Sequence, residues 1–213
     1  RGRPTVNAEW NNPSSVLVGD FIYSRAFQLL VKIDSMKVME IIANTTNKIA
    51  EGEVLQLIEK NNPDTSEKNY MQIIKNKTAI LFQAAAQCGA ILANANSEIT
   101  EDLKAFGMHL GITFQLIDDV LDYTGNSRDL GKNIGDDLGE GKSTLPLIYA
   151  MANSSTAQKK LILKTLNSKE SSRDAFDDVF DIVVASGGIK YVEDLAKSEA
   201  NSAMKCLNKL AAS

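Results

Sequence analysis

Phe114-Gln115-Leu116-Ile117-Asp118-Asp119-Val120-Leu121-Asp122 is the stretch with most chemistry in it. At about 100° per residue, Gly111, Gln115, Asp118, Asp119 and Asp122 share one stripe of a helix. Ile112, Phe114, Leu116, Ile117, Val120 and Leu121 cover the rest of the circumference. A helix so largely apolar is expected to be buried. Buried carboxylates are too costly to keep unless they meet water or a cation. The stripe therefore predicts a metal site on the wall of an internal cavity.

Two further stretches carry groups suited to phosphate. Gly131-Lys132-Asn133-Ile134-Gly135-Asp136-Asp137-Leu138-Gly139-Glu140-Gly141-Lys142-Ser143-Thr144 combines glycines, which let backbone N–H groups approach a ligand, with Lys132 and Lys142. It lacks the preceding glycine and strand of a P-loop. Lys77-Thr78 stands at the edge of a run, Thr78 to Ser97, without a single charge. A lysine beside so apolar a segment needs a partner or solvent.

Together these motifs resemble the trans-polyprenyl diphosphate synthases. The family carries Phe-Gln-x-x-Asp-Asp-x-x-Asp as its second aspartate-rich motif, a Lys-Thr pair, and Gly-Lys-x-x-Gly-Asp-Asp…Gly-Lys-x-Thr-x-Pro, matched here by Gly131 to Pro146. Arg1-Gly2-x-Pro4-Thr5 is similar to the end of its Arg-Arg-Gly-x-Pro-Thr motif. The run Leu17 to Gln28 is most similar to the octaprenyl branch. The resemblance implies an all-α isoprenoid synthase helical bundle in one domain over residues 1–213, acting as a homodimer in the cytoplasm. It implies Mg²⁺ on Asp118, Asp119 and Asp122, isopentenyl diphosphate on Arg1, and an allylic diphosphate on Lys77, Thr78, Lys132 and Lys142. Thr78 and Gln115 would lie near the developing allylic cation. Asp136 is an open candidate for supporting the metals through water. Phe21–Phe27 and Met36–Ile42 are candidates to line the product tunnel.

The implied activity is head-to-tail condensation of isopentenyl diphosphate with allylic diphosphates to a long-chain, octaprenyl, diphosphate for a quinone side chain. In the family a first aspartate-rich motif lies before the position of Arg1. This chain is expected to lack those upstream helices and, alone, to be inactive. A non-catalytic subunit that binds a true synthase, or a terpene cyclase of the same fold, are the alternatives.

The elements that must position these groups are read from periodicity. Ser14-Ser15 is expected to cap a helix running towards Leu30, with Gly19 marking close approach of another backbone. Ser35 caps the next, which Ala50-Glu51-Gly52-Glu53 interrupts and Asn61-Asn62-Pro63-Asp64 ends; Thr65 or Ser66 starts another. Thr78 to Ser97 reads as one helix buried in protein, its Gln and Asn residues arguing against lipid. Glu98 to Tyr123 is the central helix. Pro146 opens a helix, and others fill 157–166, 171–185 and 189–212.

Several features are read as structural. The one histidine, His109, lies off the acidic stripe, so a His-based zinc site and a Ser-His-Asp hydrolase are excluded. Asp177-Asp178-Val179-Phe180-Asp181 repeats the Asp-Asp-x-x-Asp spelling but lacks the preceding Gln and the Gly/Lys loop. With Asp174 it reads as a solvated helix face. Asp20 and Arg25 are read as a structural ion pair or hydrogen-bonding groups, and Glu51 and Glu53 as facing away from the cavity. Cys88 and Cys206 form no ligand pattern and are read as reduced thiols. A net charge of −4 over 213 residues argues against broad attraction to nucleic acid or anionic membrane.

Overall fold

The computed structural model describes residues 4–125, 135–166, 173–208 and 210, with the backbone alone for 173–175. Arg1, Lys132 and the side chain of Asp174 lie outside the described residues. Among these, every regular element is a helix. They are α1 (Val6–Glu9), α2 (Asn12–Val31), α3 (Met36–Glu59), α4 (Glu67–Ile74), a π-helical turn (Lys75–Ala79), α5 (Ile80–Leu92) and α6 (Ser97–Thr124). After them come α7 (Asp136–Gly139), α8 (Leu145–Asn153), α9 (Thr156–Leu166), α10 (Arg173–Ser186) and α11 (Gly188–Cys206).

Helix α6 is the axis of the fold, packed chiefly between α5 and α11. Asn96 starts it by accepting a hydrogen bond from the Ile99 N–H at 2.9 Å, which satisfies an orphan donor of the first turn. Its inner residues Ile112, Leu116 and Val120 join Tyr70, Ile74, Leu145 and Val192 in one core cluster. A second cluster, around Tyr123, Leu147, Ile162 and Val183, packs α8 to α10 below the end of α6.

Glycines set how closely α6 and its neighbours approach the π-helical turn. A Cβ on Gly111 would lie 2.5 Å from the Cα of Ala79, and one on Gly52 would lie 2.6 Å from the backbone nitrogen of Lys77. The turn is thus clasped between α3 and α6, backbone against backbone. A π-turn widens the helix by one residue per turn, and this one carries both Lys77 and Thr78.

The structure departs from the sequence reading at several points. Helix α2 begins earlier than Ser14-Ser15: the Asn11 side chain caps it, accepting from the Ser14 N–H at 2.8 Å. The expected close neighbour of Gly19 is absent, since nothing among the described residues lies within 4 Å of a Cβ built there. Gly52 does not interrupt α3, which continues to Glu59; it is the site of close packing instead. The uncharged run divides into the π-turn, α5, a turn with Asn94 at φ 56°, and the start of α6. No described helix is long and apolar enough to cross a membrane. Ser35 and Ser66 cap α3 and α4 as expected.

The first part of the chain keeps an open apolar surface. No residue of α2 is buried. Leu17, Phe21 and Ile22 are each more than 60% exposed, and Met36 is 83% exposed. Neither of the segments expected to line a tunnel contributes to the cleft described next.

Candidate active site

A cleft of about 220 Å³ opens where α3, α4, the π-turn, α6 and the 137–144 segment meet. Lys77, Thr78, Gln115, Asp118, Asp119 and Lys142 all line it. The sequence assigned these six from separate stretches, and the fold brings them to one wall. Asp122 lies one turn further along α6, where it holds the returning chain. Its carbonyl accepts from the Gly135 N–H at 3.0 Å, and its carboxylate accepts from the Asp137 N–H at 3.3 Å. Gly135, at φ 82°, makes the sharp turn that allows this. The glycine-and-lysine segment is thereby tied to the end of the acidic stripe.

Asp119 is the most buried of the carboxylates, 2% exposed. The Tyr70 hydroxyl donates to its Oδ2 at 2.5 Å, and Gln115 Nε2 donates to its Oδ1 at 2.8 Å. The same amide reaches Asp118 Oδ2 at 3.4 Å. Burial pushes the Asp119 carboxyl up to about 7; hydrogen bonds from Tyr70 and Gln115 pull against this, while Asp137 and Asp118 add to it. Burial, reinforced by Asp119, holds the Tyr70 hydroxyl above its ordinary range. Thr78 donates its hydroxyl proton to Gln115 Oε1 at 2.9 Å.

Both lysines are paired. Lys77 donates to Gln56 and sits 3.3 Å from Glu53, so Glu53 reaches the rim of the site, whereas Glu51 pairs with Lys48 outside it. Lys142 lies 3.0 Å from Asp137 and 2.7 Å from Glu140. Burial lowers the affinity of the Lys142 ammonium for its proton, but hydrogen bonds to Glu140 and Asp137 outweigh that and hold its pKa above the ordinary lysine range.

The cleft lining counts Lys60, Lys77 and Lys142 against Glu59, Asp118, Asp119 and Asp137. It is therefore no anion site by itself. Among the described residues no three ligating side chains stand close enough to hold an ion unaided. The donor set still suits a hard divalent cation that takes few carboxylates and completes its shell with water and phosphate oxygens. A buried carboxylate held by neutral donors alone, with two more carboxylates beside it, is an unbalanced charge of the sign such a cation corrects.

The far rim is shaped by Glu59. It accepts from Asn62 at 2.6 Å, Thr65 at 2.8 Å and Asn69 at 2.8 Å. The corner it ties then docks the lysine segment, through the Asn61 N–H on the Gly141 carbonyl at 2.8 Å and the Ser143 hydroxyl on the Asn62 carbonyl at 3.2 Å. Burial raises the Glu59 carboxyl, but the three donors prevail and leave it below its ordinary value of 4.5. Glu59→Gln should cost about 1–2 kcal/mol at neutral pH, because an amide offers one acceptor oxygen where three donors converge. A carboxyl with a depressed folded-state value stabilises fully above its ordinary value and loses that contribution as pH falls through the depressed one. Urea unfolding of wild type and variant should therefore converge in acid, below pH 4.5; a gap independent of pH would refute the assignment.

Asp136 is exposed and Asp137 is the member of that pair that faces the cleft. Arg25 bonds Gln28 on the surface of α2. His109 pairs with Glu199 at 2.6 Å, joining α6 to α11 away from the stripe. Asp177, Asp178 and Asp181 are exposed. Tyr70, Gln56, Glu59 and Asp137 were not singled out from the sequence. Asp137 was signalled by its place in an Asp-Asp pair; the other three carried no signal by residue type.

Comparison with known proteins then places these motifs in context. The family model described as polyprenyl synthetase matches residues 1–183. The chain is 48% identical over 207 residues to octaprenyl diphosphate synthase of Haemophilus influenzae, covering 97% of this chain and 63% of that protein. It is 47% identical over 210 residues to the Escherichia coli octaprenyl diphosphate synthase, covering 99% and 65%. It thus spans less than two thirds of the length of these relatives. Among solved structures, a polyprenyl synthase from Caulobacter crescentus, complexed with calcium and isoprenyl diphosphate, superposes with a TM-score of 0.96 at 40% identity, over 100% of this chain and 65% of that one.

Proposed function

The chain belongs to the polyprenyl synthetase family, and from that premise we propose that its protein is a Mg²⁺-dependent trans-prenyltransferase. It condenses isopentenyl diphosphate with allylic diphosphates to a long-chain diphosphate, octaprenyl by its similarity to the Haemophilus influenzae and Escherichia coli enzymes, destined for a quinone side chain in the cytoplasm. The observation that carries the reading is the convergence of Lys77, Thr78, Gln115, Asp118, Asp119 and Lys142 on one cleft.

The electrostatics of that cleft support the cation. Two like unit charges about 4 Å apart repel by roughly 4 kcal/mol at an effective dielectric near 20, and a diphosphate would meet four carboxylates here. Asp118 and Asp119 on the cleft wall, with Asp122 one turn further along α6, would hold Mg²⁺, and the bound ions would neutralise the diphosphate and make it a better leaving group. Lys77 and Lys142 bind the allylic diphosphate; Lys132 and Arg1 are assigned to the allylic and isopentenyl diphosphates by family position. As the allylic C–O bond breaks, Thr78 and Gln115 present oxygen dipoles to the carbon that becomes positive. The isopentenyl double bond supplies the electron pair of the new C–C bond, and the proton lost in forming the product double bond passes to the released diphosphate. The exposed apolar surface of α2 and the start of α3 supports a homodimer, since patches of this kind mark association surfaces.

The test is an assay of the full-length protein that carries this chain (hereafter the full chain) with both diphosphates and Mg²⁺, with the products separated by length. A C40 diphosphate as main product supports the octaprenyl assignment, and no condensation at all refutes the reading. Lys142→Ala should weaken allylic diphosphate binding by about tenfold, the loss of one charge-assisted contact. An unchanged Kd would remove Lys142 from the substrate site.

A further inference from the structure

One hydrogen-bonded chain links three segments at the cleft wall and has a fixed direction. It starts at Tyr70 on α4, 4% exposed, whose hydroxyl donates to Asp119 Oδ2 at 2.5 Å. Asp119 Oδ1 accepts from Gln115 Nε2 at 2.8 Å. An amide whose nitrogen faces a carboxylate must turn its oxygen the other way, and Gln115 Oε1 accepts the Thr78 hydroxyl proton at 2.9 Å. A threonine hydroxyl has one proton and two lone pairs. With the proton committed to Gln115, only lone pairs remain to face the cleft.

We propose that Tyr70 and Asp119 are positioning residues of a polarity-setting relay, which through Gln115 fixes Thr78 as an acceptor aimed at a positively charged carbon. The proposal rests on the prenyl-transfer reading and adds Tyr70 to its machinery. A freely rotating hydroxyl can turn its proton towards the cleft, where it repels a cation. A hydroxyl locked beforehand needs no reorientation when charge develops. The carboxyl group is what fixes the direction, because both of its oxygens accept, Oδ2 from Tyr70 and Oδ1 from Gln115. Tyr70 is what fixes the carboxylate, from the side opposite Gln115. The two ends of the relay, Tyr70 and Thr78, lie on one continuous segment formed by α4 and the π-turn. The two middle members are one turn apart on α6. The π-turn, clasped by Gly52 and Gly111, sets the spacing that lets both ends reach α6.

The test is a double-mutant cycle in the full chain, with Tyr70→Phe, Thr78→Val and the pair, read by steady-state prenyl transfer. Tyr70→Phe should lower kcat by about tenfold, a fraction of what removing an oriented dipole costs, with the KM for allylic diphosphate within about twofold. In the Thr78→Val background it should cost less than about twofold, because the hydroxyl that the relay orients is gone. A second readout is hydrogen exchange of the Gln115 side-chain amide in glutamine-labelled protein: slow in wild type and Thr78→Val, faster in Tyr70→Phe. If Tyr70→Phe does not fold, Thr78→Ser supplies the kinetic test, since a serine hydroxyl can accept the same orientation; it should be faster than Thr78→Val by about tenfold. An equal Tyr70→Phe penalty in both backgrounds, a penalty expressed in KM, or Thr78→Ser no faster than Thr78→Val would overturn the relay. Each of these requires an active wild type, so each leaves the prenyl-transfer reading standing; an inert wild type is what refutes that reading.

Discussion

Asp118→Ala in the full chain should lower prenyl transfer on the order of 10²–10³-fold, the scale of losing one preorganised electrostatic contact at a reacting centre. Folding should be little affected. Asp118 is half-buried and stands beside Asp119 and Asp137, whose mutual repulsion its removal relieves. A thermal midpoint at or above that of wild type, together with the collapse in rate, is the expected pair of results. Asp177→Ala serves as the control, because that carboxylate repeats the same spelling on a solvated face of α10 and should leave the rate within about twofold. Wild-type turnover in Asp118→Ala, or a comparable loss in Asp177→Ala, would move the acidic site away from α6.

The second large effect concerns stability. Gly111→Val should cost upwards of about 3 kcal/mol, at or beyond the usual range for overpacking. Its Cβ would meet the Ala79 Cα at 2.5 Å and the Ala79 Cβ at 2.9 Å. Backbone cannot rotate aside as a side chain can, so α6 and the π-turn would have to separate. That movement would also displace Lys77 and Thr78, so any folded fraction should bind allylic diphosphate poorly. Gly19→Ala should do the opposite. With open space around it in the interior of α2, alanine gains roughly 0.5–1 kcal/mol from reduced backbone entropy. Urea midpoints of both variants check the pair; equal destabilisation at the two sites would contradict the packing described.

The contrast between these glycines shows where the sequence was legible. The acidic stripe followed from helical period alone, because carboxylates on an otherwise apolar helix leave few physical solutions. The caps at Ser35 and Ser66 followed from residue type and position. Gly19 and Gly52 look alike in the sequence, as glycines in helical runs, and only the neighbours decide which one admits another backbone. The π-turn left no trace of its own, since one extra residue in a turn is imposed by the clasp from α3 and α6 and not by Lys75 to Ala79. For that reason Tyr70 was missed: at about 100° per residue it stands roughly 80° round from Thr78, and nothing in its residue type pairs the two. Glu59 escaped notice because its role comes from three neutral donors that the corner at 60–69 gathers around it.

Calorimetric titration of the full chain with an allylic diphosphate, with and without Mg²⁺, tests the central claim most directly. With Mg²⁺, the cleft should bind the diphosphate with micromolar affinity, about −8 kcal/mol. Without it, four carboxylates against three lysines, two of them already paired, should leave binding at least about a hundredfold weaker, and Asp118→Ala should reproduce much of that loss with Mg²⁺ present. Equal affinity in chelator and in Mg²⁺ would contradict the account.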